Sequence, residues 1–176
     1  TYQFGSLGVT AANAIRVGAS ITTTGAQTYN SPVVLTGDTT LASTGAGDIT
    51  FNSTLNGLFG LTVNTGGTTA FNDVIGGTAG GDRLGSLTTD AGGSSVFDIN
   101  GTTQVSIQNQ AFFGDDVSIS GNSQIWEFFG NATFDGTVGG NVQILTRAHN
   151  PLTFNDAVEF LAFQVVSGGL VTINGG

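Results

Sequence analysis

The sequence predicts an all-β protein: a right-handed parallel β-helix (β-solenoid) with rungs of about 20 residues. Three observations carry that prediction. The first is a recurring motif, an aromatic residue, usually Asn or Asp next, and an aliphatic residue four positions after the aromatic. It reads Tyr29-Asn30…Val33, Phe51-Asn52…Leu55, Phe71-Asn72…Ile75, Phe113-Gly114…Val117, Phe134-Asp135…Val138 and Phe154-Asn155…Val158, with a degenerate copy at Phe97-Asp98-Ile99. The aromatics lie 22, 20, 26, 16, 21 and 20 residues apart, so each copy is expected to be one rung. The second is a set of short segments between the motifs that alternate apolar and polar residues. The third is composition: 29 of 176 residues are Gly and only 9% are charged, against roughly 25% in globular proteins. An apolar content of 39% in periodic positions is enough for a packed core and argues against disorder.

Residues 1–20 match the repeat poorly. Val9–Ala19 is the best helical stretch and is too short to matter alone. This segment is expected to be a cap, the first rung, or a strand donated to a neighbour. The motif at Tyr29 opens the regular stack, and Pro32 beside it is tolerated at a corner. The copies at Phe51 and Phe71 flank Leu61-Thr62-Val63, a strand with one buried face. The 26-residue interval after Phe71 carries Gly76-Gly77-Thr78-Ala79-Gly80-Gly81-Asp82-Arg83. It predicts a corner loop inserted over 76–85, because repeat insertions map to the outside of a stack.

Leu87-Thr88-Thr89 and Val105-Ser106-Ile107 continue the alternating strands around the degenerate rung at Phe97. Val142-Gln143-Ile144 and Phe163-Gln164-Val165 do so around the copies at Phe134 and Phe154. Gly pairs at 66–67, 76–77, 92–93, 139–140 and 168–169 punctuate the strands, since Gly turns tight corners. Leu170–Gly176 reads as the start of another rung. The whole chain, 1–176, is expected to be one solenoid domain.

Stacked equivalents would sit about 4.8 Å apart, with the aromatics forming an interior spine and the +4 aliphatics a second one. The +1 residue is Asn or Asp in six of seven copies. Its expected role is that of a turn residue, ahead of an amide ladder. The alternative fold is a pilin-like β-sandwich subunit.

The charge balance narrows function. There is no Lys, only Arg16, Arg83 and Arg147 are basic, and the formal net charge is −9. Such a surface suits neither phosphate backbones nor anionic lipid, so nucleic acid and membrane insertion are not expected partners. No run approaches the roughly 18 apolar residues of a spanning helix. The absence of Cys leaves stability to stacking, and the absence of Met fits a processed chain or an excised piece.

Chemistry is sparse. His149, within Arg147-Ala148-His149-Asn150-Pro151, has no Cys partner, no second His at helical spacing, and no Gly-x-Ser-x-Gly elbow to serve. Asp115-Asp116 is the only adjacent carboxylate pair, and strand neighbours point to opposite faces. Gly80-Gly81-Asp82 and Gly45-Ala46-Gly47-Asp48 echo a glycine-rich calcium repeat but occur singly, so corner loops are favoured. Thr22-Thr23-Thr24, Thr39-Thr40 and Thr68-Thr69 raise ice binding, yet they share no common offset. Trp126 with Phe128 and Phe129 is the one candidate aromatic platform for a glycan, against a reading of these residues as core. No residue is put forward as catalytic, cofactor-binding or metal-binding, and no enzyme is expected.

Ile21-Thr22-Thr23-Thr24-Gly25-Ala26-Gln27-Thr28-Tyr29-Asn30 resembles a phrase of long bacterial β-strand-repeat exoproteins, similar to filamentous haemagglutinin-like adhesins. So do Gly47-Asp48-Ile49-Thr50-Phe51 and Leu61–Phe71. The resemblance is clearest over residues 20–100. It implies a parallel β-helix, export, an extracellular or cell-surface location, and a structural role in adhesion or matrix (biofilm), with no catalytic residue. The expected partners are the chain itself, end to end or edge to edge, or the rest of a longer parent chain, with surface glycans a further option. The alternatives are a self-assembling subunit of an extracellular filament and a carbohydrate-binding module.

Overall fold

A computed structural model describes residues 4–77, 82–99, 105–146, 150–167 and 169–175. Among them there is no helix, and twenty strands coil into a stack. The first rung holds β1 (Leu7–Val9), β2 (Ile15–Val17) and β3 (Ile21–Thr23). The second holds β4 (Gln27–Tyr29), β5 (Val33–Leu35) and β6 (Thr39–Ser43), and the third β7 (Ile49–Phe51), β8 (Leu55–Asn56) and β9 (Gly60–Thr65). The fourth has β10 (Thr68–Phe71) and β11 (Ser86–Thr89); the fifth has β12 (Ser94–Asp98), β13 (Val105–Ile107) and β14 (Ala111–Phe113). The last three hold β15 (Asp116–Phe128) with β16 (Ala132–Phe134), β17 (Val138–Thr146) with β18 (Leu152–Phe154), and β19 (Val158–Ser167) with β20 (Val171–Ile173).

Each rung contributes to flat parallel sheets. The first face runs β1-β4-β7-β10-β12-β15-β17-β19, and the second runs from β3 through β6, β9, β11, β14, β16 and β18 to β20. The third face starts as β2-β5-β8 and continues through bridges at Ile75 and Leu84 into β13. It then merges with the first, because β15, β17 and β19 are long enough to line both. Registered partners along the first face, from Leu7 to Val158, are 20, 22, 20, 26, 22, 21 and 20 residues apart. That is a β-solenoid of seven turns, about 34 Å long at the usual strand spacing. Every registered pair is parallel, which excludes the β-sandwich alternative, since sandwiches are built from antiparallel sheets. Residues 7–17 pair in register with β4 and β5 of the same chain, as the first rung of the stack.

The aromatic motif does not mark one rung per copy. Tyr29, Phe51, Phe71 and Phe97 stack on the first face, whereas Phe113, Phe134 and Phe154 stack on the second. Phe97 and Phe113 therefore share a turn, which explains their 16-residue interval. The motif is a tight corner, strand–aromatic–Asn–strand, and the stack uses it at different corners in its two halves. Before Phe97 it turns the first face into the third, and after Phe113 it turns the second face into the first. In the later half the corner between first and third faces straightens into a bulge between Ile119 and Gln124.

Volume explains why the column must change sides. Where Phe51 and Phe71 occupy the first face, the matching inward residues on the second are Val63 and Thr89. Where Phe134 and Phe154 occupy the second, those on the first are Ile119 and Gly140. Between these two columns each turn away from the seam holds one ring, because cores pack to a fixed density; Phe97 and Phe113 share the seam turn, and Trp126 and Phe128 fill the third face of the turn after it. Ring centroids are 5.1, 5.2 and 4.8 Å apart from Tyr29 to Phe97, and 4.7 and 5.0 Å from Phe113 to Phe154. The seam joins through an edge contact of Phe97 with Phe113 at 5.8 Å and through Trp126, 4.6 Å from Phe97 and 6.0 Å from Phe113. Each buried ring contributes about 1.5–3 kcal/mol from burial and roughly 0.5–1.5 more from ring pairing.

Candidate functional site

One long edge of the rod, where the third face turns into the second, differs from the others. The inserted loop leaves here: Gly76 has φ 67°, and the Gly77 amide donates to the Asp82 carbonyl at 2.9 Å, closing the loop at its base. Residues 78–81, with Gly80 of the calcium-like echo, lie outside the described residues, as do Arg147 and His149. Asp82 is exposed. Leu84 returns to the stack by bridging Ile107, and its amide donates to the Ser106 carbonyl at 3.1 Å.

Just past the loop, the Arg83 guanidinium sits 3.7 Å over the centre of the Phe129 ring. Arg83 Nη1 donates to Gln108 Oε1 at 3.1 Å, while Arg83 Nε is buried without a partner. Asn150 Nδ2 donates to the Phe129 carbonyl at 2.6 Å. One rung below, the Gly85 amide bonds the Gly57 and Phe59 carbonyls at 3.1 and 3.0 Å. Leu58 and Phe59 there are 54% and 41% exposed. The edge thus presents apolar side chains, a ring capped by a cation, and side-chain amides. Such groups stack and hydrogen-bond; they hold no acid–base pair.

Trp126 and Phe128 are core, as the favoured reading has them, and the alternative aromatic platform with Phe129 is not formed. Trp126 and Phe128 are fully buried, on the same side of β15, and Phe128 meets Phe134 edge-on at 6.3 Å. The physical reason is alternation: Ile125 and Glu127 occupy the other side of the strand. Only Phe129, past the strand end, reaches the surface, and Arg83 covers it.

Asp115 and Asp116 point to opposite sides, as the strand geometry requires. Asp116 is exposed and caps the next rung, accepting from Thr137 N and Thr137 Oγ1 at 2.8 Å each. Asp115 points inward and is 4% exposed. Thr89 Oγ1 donates to its Oδ1 at 2.6 Å, and Ser95 Oγ lies 3.0 and 2.9 Å from Oδ1 and Oδ2. Burial raises its pKa, the two hydroxyls oppose that rise, and Asp90 adds to it. The sequence places the two carboxylates on opposite faces, and nothing in the pair alone says which one faces in.

The Asn residues of the corner motif do more than turn the chain. Asn52 Nδ2 donates to Asn30 Oδ1 and Asn72 Nδ2 to Asn52 Oδ1, both at 2.9 Å. A second ladder runs from Asp135 through Asn155 to Asn174, at 2.6 and 2.7 Å. Both ladders lie on the outside of the corners. A threonine rank also exists, to which the Thr runs noted above contribute only Thr40. Thr40, Thr62, Thr88, Thr133, Thr153 and Thr172 register in one half-exposed column of the second face, interrupted by Phe112. The adjacent column carries Ala42 and Asn64, so no second rank lies beside it. The signal was the middle residue of each x-Thr-x strand, and Thr there suits an exposed pleat.

Asp48, in the other calcium-like echo, accepts the Thr68 amide at 2.8 Å and so serves as a corner cap. Among the described residues no three His, Cys, Asp or Glu side chains gather as a metal site, and no helix is long and apolar enough to cross a membrane. No family model, no curated protein and no solved structure matches the chain.

Proposed function

We propose that the chain is a rigid rod segment of a secreted or cell-surface exoprotein, working in adhesion or matrix. The observation that supports this reading is the continuous parallel ladder, in which successive turns repeat the same inward rings and the same outward amides. A solenoid of this kind uses its residues to set length and stiffness. The resemblance to filamentous haemagglutinin-like adhesins points the same way.

A second reading, a subunit that polymerises end to end, is favoured by one feature. Phe4 beside the first rung is 50% exposed, and Leu170 and Ile173 on the last are 72% and 53% exposed. Open parallel edges with apolar residues accept either further rungs of one chain or another copy. Electron microscopy of the purified chain over a concentration series, with size exclusion, separates these readings. Dispersed short rods at every concentration support the segment, uniform filaments support the subunit, and compact non-rod particles overturn both.

A further inference from the structure

The seam where the aromatic column changes faces encloses a carboxylate. Asp115 sits at the corner between β14 and β15, two residues after Phe113, the first ring of the later half. Its oxygens are bonded to Thr89 at the end of β11 and to Ser95 on β12, both in earlier turns. The carboxylate therefore ties the earlier half of the rod to the later one through buried bonds. We propose that Asp115 is a proton-operated latch: proton uptake fastens the seam between the two halves of the rod, and proton release loosens it.

The charges around it fit that role. From β11 the facing groups are Thr89 and Asp90, and Asp90 adds a like charge. From β12 it is Ser95. Next to it, at the start of β15, Asp116 turns out to Thr137. At the corner above, Asp135 faces solvent and accepts from Asn155. The described cations lie elsewhere: Arg16 is exposed on β2, and Arg83 lies on Phe129. An ionised Asp115 thus has two hydroxyl donors, its own backbone amide, a neighbouring carboxylate and little water, and burial outweighs the donors. Adding one proton from solvent removes the buried charge; the new O–H donated to Thr89 Oγ1 replaces the bond that Thr89 now donates across the same 2.6 Å contact, so the tie is kept while the charge is lost. Nothing else is transferred.

The sign follows from linkage. The folded state holds this proton more tightly than the unfolded chain, whose value is 3.8. Stability from this site is therefore fully present below the unfolded value and is lost as pH rises through the raised folded one. General acidification also relieves the repulsion of a −9 chain, so the test needs an isosteric control.

Thermal melting of the chain and of Asp115→Asn from about pH 7.5 to about pH 4 supplies it. The wild type should gain on the order of 2–4 °C more than the variant as pH falls. Parallel curves, or a smaller gain in the wild type, overturn the latch. If the variant does not fold, carboxyl-carbon NMR of the wild type decides: Asp115 must titrate above 3.8, and titration at or below that value overturns the proposal. Hydrogen exchange places the effect. Protection of the Gly114 and Val117 amides should rise on acidification more than that of Asn52 and Asn72, and equal changes would also count against the latch.

Discussion

At the scale of single residues, the outer amide ladders show how a weak group gains from repetition. Asn52 donates to Asn30 and accepts from Asn72, so it holds three turns in line. The ladder ends for a chemical reason: the next motif copy offers Asp98, and a carboxylate has no hydrogen to donate to Asn72. Asp135, at the foot of the second ladder, needs only to accept. Asn52→Asp should lose one of the two bonds and Asn52→Ala both, each lost bond costing about 0.5–1.5 kcal/mol and, being exposed, at the lower end. Denaturant midpoints rank the three proteins; an Asp variant as destabilised as Ala would show that the ladder is not pairwise. Gly140 is held differently. Its φ is 128° and a Cβ there would run into the Ile119 carbonyl, at the turn that must stay empty for Phe154. Gly140→Ala should cost more than the roughly 1 kcal/mol of an ordinary glycine replacement, read as a fall in melting temperature. The sequence makes the Asn at +1 conspicuous, but not whether neighbouring copies share a corner, and the ladder depends on that.

At the scale of elements, the parts that were legible are those with a strong period. The parallel solenoid, the near-20-residue turn and the alternating strands such as Leu61-Thr62-Val63 follow from pattern alone. What the pattern hides is which corner a motif turns. Phe97 and Phe113 read as successive rungs, because the same local sequence builds the first-to-third corner and the second-to-first one. Only the volume of the interior, counted across faces, shows that Val63 and Thr89 on one side pair with rings on the other. The surface site was less legible still. Trp126 and Phe128 read as core ahead of a platform, and their period of two with Glu127 between them places both on one side of a strand. The pairing of Arg83 with Phe129 links residues two turns apart and has no local signal. Arg83→Ala should cost about 0.5–2 kcal/mol, the range of cation–π contacts from exposed to desolvated, since the guanidinium is partly buried. Trp126→Ala should cost about 3–5 kcal/mol, as other large core deletions do. Urea unfolding of the two variants tests that ratio, and similar losses would mean the tryptophan is not the keystone of the seam.

At the scale of the whole rod, cooperativity is the property most exposed to attack. Apart from side-chain contacts such as Arg83 on Phe129, each turn packs against the turns beside it, so stability is close to a sum of rung terms and interface terms along one dimension. Within each half the interfaces are alike, a stacked ring over a stacked ring. At the seam they are not: the column passes from Phe97 to Phe113 edge-on and leans on Trp126, and the polar tie from Asp115 replaces an apolar contact. A uniform stack melts in one transition when every interface is strong compared with the differences between rungs. Weakening one interface in the middle should divide it. Phe97→Ala removes the only ring that touches Phe71, Phe113 and Trp126 alike among the described contacts, at about 3–5 kcal/mol. The same truncation at Phe51 removes comparable volume but leaves stacked neighbours of one kind on both sides. Calorimetry of the two variants should therefore differ in shape as well as midpoint: two resolved transitions for Phe97→Ala and a single lowered one for Phe51→Ala. Hydrogen exchange would assign the two transitions to residues before and after the seam. A single transition in both variants would mean that the ladder hydrogen bonds, continuous through β12 and β15, couple the halves more strongly than the interior does.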